Sequence, residues 1–248
     1  MKEIVINNLT KKYKDVTAVN NISLSIEKGE LVSLLGVNGA GKTTLINMLS
    51  CLIKPTNGDA FVGGYSVSKE DRKVKQIIGI SPQETAIANN LTVKENLEFV
   101  CGVYSFSKEK TKKKVEQLIR QFSLQEVINK KTSKLSGGYK RKVSIALSLI
   151  SEPEVLFLDE PTLGLDVLAR KDLWDIIKSL KGEKTIILTT HYMEEAQELS
   201  DKVAIINKGN LLLVDSVNNI IQTTSSNSIQ EAFIRIVKEN ENENNHLC

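Results

Sequence analysis

The stretch LGVNGAGKTT, residues 35–44, restricts the fold of this chain more than any other ten residues. It places Gly36, Gly39, Gly41 and Lys42 directly after the apolar run LVSLL, and TLINMLSCL follows with apolar residues at helical spacing, so the loop lies between a strand and a helix. Glycines there serve either as turn punctuation or as a cradle, because they reach backbone angles that a side chain forbids. In the cradle reading the N–H groups of Asn38, Gly39, Ala40, Gly41, Lys42, Thr43 and Thr44 curl around a phosphate. Lys42 then supplies positive charge to the β and γ oxygens, and Thr43 offers its hydroxyl to Mg²⁺. The G-x-x-x-x-G-K-[ST] spacing favours the cradle, as does the helix start, whose exposed N–H groups attract an anion.

Around this loop the chain reads as an α/β nucleotide-binding core. EIVINNL, VNNISLSI, ELVSLLG and DAFVGG have the alternation or apolar density of strands. EVLFLDE and KTIILTT are nearly continuously apolar, as strands in the middle of a sheet are. Residues 84–150 change to helical periodicity, a helical insertion in the core, and the early strands form a small antiparallel part near the N-terminus. The predicted units are residues 1–220 as one nucleotide-binding domain and 221–248 as a C-terminal helix with a disordered tail, since KENENENNHLC is polar and without periodicity.

Three further motifs carry chemistry. EVLFLDEPT ends a buried strand with two carboxylates: Asp159 suits Mg²⁺, and Glu160, one residue on, points elsewhere and suits the polarisation of an attacking water. LTTHYMEEA sets His191 just beyond another buried strand, which is expected beside that of Asp159 and within reach of a γ-phosphate. KLSGGYKRK offers Ser136, Gly137 and Gly138 at a second helix start, either an ordinary N-cap and tight turn or a second phosphate site that closes on a partner's nucleotide.

Composition excludes several classes. A net charge of +3 is too small to argue for nucleic acid, and the densest basic cluster, KEKTKKK, precedes Val115, Leu118, Ile119 and Phe122 at the spacing of an amphipathic helix with a solvated lysine face. Cys51, Cys101 and Cys248 are far apart and without a C-x-x-C pair, which fits a reducing compartment rather than a disulfide framework or zinc site. The sequence has neither an apolar run of membrane-spanning length nor a signal-peptide core.

With those residues in view, the chain resembles the ATP-binding subunit of an ABC transporter over about residues 2–215. GVNGAGKTT resembles the Walker A loop, LSGGY the signature, VLFLDE the Walker B strand, LGLD the D-loop ending at Asp166, and His191 the switch histidine. Gln83, in ISPQE, stands at the Q-loop position that touches Mg²⁺ and water, and Tyr13 matches the aromatic that stacks on adenine. Val37 replaces the usual proline, Thr43 a common serine, and Tyr139 the usual glutamine after the signature. TTHYMEEAQELSDKVAIINKG resembles the branch that powers bacterial exporters of drugs, antibiotics or sodium.

The resemblance implies the ABC ATPase fold, ATP and Mg²⁺ as ligands, and a second ATP-binding subunit with which two ATP molecules are sandwiched. It also implies a separate membrane-spanning permease, no nucleic acid, and a place on the cytoplasmic face of the membrane. Glu160, His191 and Gln83 would be catalytic; Thr43, Gln83 and Asp159 would hold the metal. Ile87, Leu91, Val93 and Leu97, which have few obvious core partners in the nucleotide-binding half, either pack within the insertion or line a groove for a permease helix. The rival from another class is a soluble ABC-type ATPase acting on a ribosome or nucleic-acid complex, against which stands a single P-loop per chain. INKGN lacks the aspartate of a guanine-reading motif, and intact Glu160 and His191 argue against a non-catalytic sensor.

Overall fold

The structure, a computed structural model, describes residues 1–245. The chain begins with β1 (Lys2–Tyr13), β2 (Val16–Glu27) and β3 (Leu31–Leu35), then α1 (Lys42–Leu49), β4 (Asn57–Val62), β5 (Tyr65–Ser66), α2 (Asp71–Ile77) and β6 (Ile78–Ser81). Helices α3 (Val93–Val103), α4 (Lys108–Gln121) and α5 (Gly137–Ser148) follow. The chain then alternates through β7 (Val155–Asp159), α6 (Val167–Leu180), β8 (Thr185–Thr190), α7 (Met193–Leu199) and β9 (Lys202–Asn207). It ends with β10 (Asn210–Asp215), α8 (Val217–Thr223) and α9 (Ile229–Asn245).

Two sheets result. One is antiparallel, in the order β2-β1-β4-β5; the other runs β10-β9-β3-β8-β7-β6 and is parallel except at the β10 edge. Every residue of β3, β7 and β8 is buried, which is why these segments are mainly apolar instead of alternating, with polar residues such as Asp159, Thr189 and Thr190 at their carboxyl ends. Leu35 is in register with Thr190, and Asp159 with Thr189, so the carboxyl ends of the three central strands finish side by side. Ligands of open α/β sheets bind at such ends. This register brings the Gly36–Gly41 loop, Asp159–Glu160 and His191 to one edge.

The insertion is helical, its bridge between Thr92 and Lys131 being isolated. Helix α3 begins with a full capping box, Thr92 Oγ1 accepting from Glu95 N while the Glu95 carboxylate accepts from Thr92 N. Val93 and Leu97 are fully buried, in one cluster with Leu31, Leu156, Leu158 and Ile186 of the central strands, and Ile87 packs against it. Of the two alternatives, packing within the insertion is the one these residues take, in a core that is continuous with the central strands. Helix α3 packs against α4 and α5, a placement that spacing along the chain does not encode. On α4, Val115, Leu118 and Ile119 face inward as expected, but Lys114 is buried too, ion-paired to Glu152 at 3.2 Å.

Strands β6, β9 and β10 are absent from the sequence reading. β6 is four residues long and contains Gly79, where a Cβ would meet Ser148 O at 2.3 Å; the glycine marks the close packing of α5, not a turn. The expected disordered tail is also corrected as far as Asn245. Ala232 and Phe233 bury one face of α9 beside β9, and Lys208 pairs with Glu241 at 2.8 Å, so a helix nucleated by packing continues into the polar stretch. His246–Cys248 lie outside the described residues. No helix among the described residues is long and apolar enough to cross a membrane.

Candidate functional site

At the shared edge lies an open cavity of about 300 Å³, lined by Asn38, Gly39, Ala40, Gly41, Lys42, Thr43, Thr44, Gln83, Glu160 and His191, with Ala18 and Leu163. Gly41 has φ +105°, and a Cβ there would come within 2.3 Å of Ala18 O, so only glycine lets the loop lie against β2 and aim its N–H groups into the cavity. Lys42 is buried, its Nζ donating to Gly36 O at 2.8 Å and Val37 O at 3.1 Å.

Thr189, on β8, organises the two carboxylates. Its hydroxyl donates to Asp159 Oδ1 at 2.5 Å and accepts from Glu160 N at 2.9 Å. Asp159 Oδ1 also accepts from Thr43 Oγ1 at 3.1 Å, which sets a hydroxyl and a carboxylate side by side. Glu160 has φ +48°, a conformation rare for a residue with a side chain, and it turns the carboxylate away from Asp159. Glu160 Oε1 lies 3.5 Å from Lys42 Nζ, and Oε2 lies 2.6 Å from His191 Nδ1. Gln83 is exposed at the cavity, and its backbone is clamped from α5: Arg141 donates to Pro82 O and Gln83 O, both at 2.7 Å. Burial pulls the Arg141 guanidinium below its ordinary pKa, while the carboxylates of Asp159, Glu195 and Glu160 favour its charge.

The remaining sequence candidates lie outside this cavity. Tyr13 ends β1, half exposed, with Lys11 Nζ 5.0 Å from its ring centre. Ser136 occupies the N-cap position of α5 but makes no side-chain cap bond, so its hydroxyl is not used by its own helix. Gly137 and Gly138 face Leu165 and Ala169, and Asp166 caps α6 by accepting from Ala169 N at 2.9 Å. Within one chain, then, the Ser-Gly-Gly turn stands beside the loop leading into α6, away from the P-loop.

The ABC transporter family profile matches residues 19–163, more than half of the chain. The chain belongs to the ABC transporter family, as an ATPase domain of the ABC type. It is 40% identical over 212 residues to the human (Homo sapiens) phospholipid-transporting ATPase ABCA3, a match covering 84% of this chain but 12% of that protein. It is 39% identical to the linearmycin resistance ATP-binding protein LnrL of Bacillus subtilis (strain 168), covering 93% of this chain and 77% of LnrL. Among solved structures it is similar to the dimeric, post-hydrolysis state of the ATP-binding cassette MJ0796 bound to ADP and Pi. That match has a TM-score of 0.77 and 28% identity, and covers 86% of this chain and 98% of that one.

The residues of this ABC cassette fit ATP and Mg²⁺. Gly41 lets the loop lie against Ala18 where a Cβ would force the two apart, and the buried Lys42 ammonium supplies charge at the base of the loop. The Thr43 hydroxyl and Asp159 carboxylate are the hard oxygen donors that a small divalent cation prefers when phosphates and water complete its shell. Sequence reasoning missed Ala18, Leu163, Thr189 and Arg141. The first two are small or apolar and carry no motif, whereas Thr189 and Arg141 act through neighbours distant in sequence.

Proposed function

We propose that the chain hydrolyses ATP at a site completed by a second cassette, and that the cycle drives substrate export through a separate membrane permease. The observation that carries the reading is Glu160, held by its two oxygens between Lys42 and His191 at the cavity. A carboxylate so placed accepts the proton of a water as that water's oxygen bonds to the γ-phosphorus and the bond to the β-γ bridging oxygen breaks. Lys42 offsets charge on the γ oxygens, and His191, with Nδ1 turned to Glu160, leaves Nε2 for a phosphate oxygen. Thr43 and Asp159, with Gln83 nearby, would hold Mg²⁺, which would supply positive charge at the β and γ oxygens.

The Ser136–Gly138 turn, with its uncommitted hydroxyl, supports the second cassette: it suits the nucleotide of a partner copy, and the solved MJ0796 cassette is a dimer. Tyr13, half exposed at the end of β1, is assigned to the adenine. The permease is assigned to a groove of about 270 Å³ lined by Pro82, Ala86, Val100, Tyr104 and Leu147, of which Pro82 and Ala86 flank Gln83 in the chain. Phe99 and Val103 of α3, next in sequence to Val100 and Tyr104, are exposed and add apolar surface to that helix. On this reading the chain works at the cytoplasmic face of the membrane. The likeness to LnrL supports export.

Glu160→Gln tests the chemistry. The amide fills the same space but is a far poorer proton acceptor, so turnover falls by about 10²- to 10⁴-fold while ATP binding persists and a dimer accumulates with MgATP in size-exclusion chromatography. A monomeric variant with wild-type turnover would overturn the assignment.

A further inference from the structure

Glu195, on α7 four residues after His191, is completely buried and lines no part of the cavity. Its Oε1 accepts from Thr162 Oγ1 at 2.7 Å and from Trp174 Nε1 at 3.1 Å. Among the described residues its Oε2 has no partner at full hydrogen-bond geometry, and the Thr190 hydroxyl near it accepts from Tyr192 N at 2.9 Å. A buried carboxylate with one oxygen unmatched is costly when ionised, whereas a neutral carboxyl uses Oε1 as an ordinary acceptor. Burial pushes the Glu195 carboxyl above its usual range; donors on Thr190, Thr162 and Trp174 oppose this, and the charge of Glu160 adds to it.

The three partners belong to different segments. Thr162, itself fully buried, follows Glu160 by two residues on the loop to Asp166; Trp174 is on α6; Glu195 is on the helix that follows His191. A second joint reinforces the first. The Tyr192 ring lies 4.1 Å from that of His191 and under the Arg170 guanidinium of α6 at 4.5 Å. Glu160 and His191 are thus joined twice, once in the cavity by their own side chains and once behind it.

We propose that Glu195 is a positioning residue for hydrolysis, whose Oε1 holds the loop after Glu160 and the helix after His191 in one arrangement through Thr162 and Trp174. The proposal rests on the reading that Glu160 and His191 act on the γ-phosphate. Because Glu195 touches no P-loop residue, its loss falls on turnover and not on ATP binding.

Trp174 is the only tryptophan of the chain, so its fluorescence reports this contact directly. Full-length Glu195→Leu, Glu195→Gln and Thr162→Val are compared with wild type for kcat, KM for ATP, thermal unfolding and Trp174 emission. Leucine keeps the volume but removes the acceptor: kcat falls about ten- to a hundredfold, the scale of a slight misplacement of catalytic groups, KM changes by less than about threefold, and the emission maximum moves. Glutamine keeps an oxygen acceptor and restores most of kcat and the wild-type emission. Thr162→Val, which removes one hydroxyl, lowers kcat with unchanged Trp174 emission, and decides the matter if the leucine variant does not fold. Wild-type kcat in folded Glu195→Leu or in Thr162→Val overturns the proposal, as does a glutamine variant as impaired as leucine. An inactive wild type instead refutes the hydrolytic reading beneath it.

Discussion

Replacing Gly41 by alanine tests whether close approach of the phosphate loop to β2 builds the cavity. Two costs follow from the structure. The backbone sits at φ +105°, where a side chain costs about 1–2 kcal/mol. The new Cβ would also stand 2.3 Å from Ala18 O, against an ordinary contact of 3.4 Å or more, so loop or strand must retreat by about 1 Å. A displacement of that size at a catalytic loop costs about a hundredfold in rate. Gly64, in the turn between β4 and β5, is the control: φ is +81°, nothing lies within 4 Å of a Cβ, and it is not among the residues of the cavity. Gly64→Ala carries the backbone penalty alone, about 1 kcal/mol, or a Tm lower by about 2–4 °C for a chain of this size, with ATP turnover unchanged. Gly41→Ala loses about 3 kcal/mol, or roughly 6–12 °C, and about a hundredfold in kcat/KM. Thermal unfolding with and without MgATP, beside steady-state hydrolysis, measures both. Equal Tm losses in the two variants, with turnover retained in Gly41→Ala, would refute the argument.

Lys42→Ala removes the buried ammonium, and ATP affinity measured by equilibrium dialysis falls at least about tenfold, the value of one strong charge-assisted contact; wild-type affinity would reject the P-loop assignment. Glutamate at Val100 or Tyr104 leaves hydrolysis by the isolated chain intact but abolishes its recovery with the permease in the membrane fraction, whereas undiminished recovery would move the docking surface elsewhere. Glu195 also predicts a pH dependence. Its folded pKa is raised, so the native state keeps a proton that the unfolded chain releases. The stabilisation is fully present below the ordinary carboxylate pKa and is lost as pH rises to the folded pKa, at about 1.4 kcal/mol per pH unit for one proton. Comparing Glu195→Gln with wild type by denaturant unfolding across that window shows a shallower slope in the variant; identical slopes would mean an ionised native Glu195.

The sequence by itself determined what local chemistry can encode. The spacing of Gly36, Gly41, Lys42 and Thr43 specifies a turn, a helix start and their donors within ten residues. The apolar density of VLFLD and TIILTT marks strands covered on both faces, and each was followed by the residue that matters, Glu160 or His191. Only the tertiary structure decided which of these ends meet. The parallel register of β3, β8 and β7 sets Thr189 beside Asp159 and so fixes both carboxylates, and nothing along the chain marks that threonine. Val93 and Leu97 read as available for a partner because the core that buries them forms only when α3 packs on α4 and α5. The polar end of α9 read as disordered because its helix depends on packing of Ala232 and Phe233, not on its own composition. Glu195 is the sharpest case: within MEEAQEL it is one of three glutamates on a short helix, and only burial against Thr162 and Trp174 separates it from its solvated neighbours Glu194 and Glu198. Hydrogen bonds between residues 21 to 33 positions apart are formed by the fold, and no period or local motif in the sequence carries them.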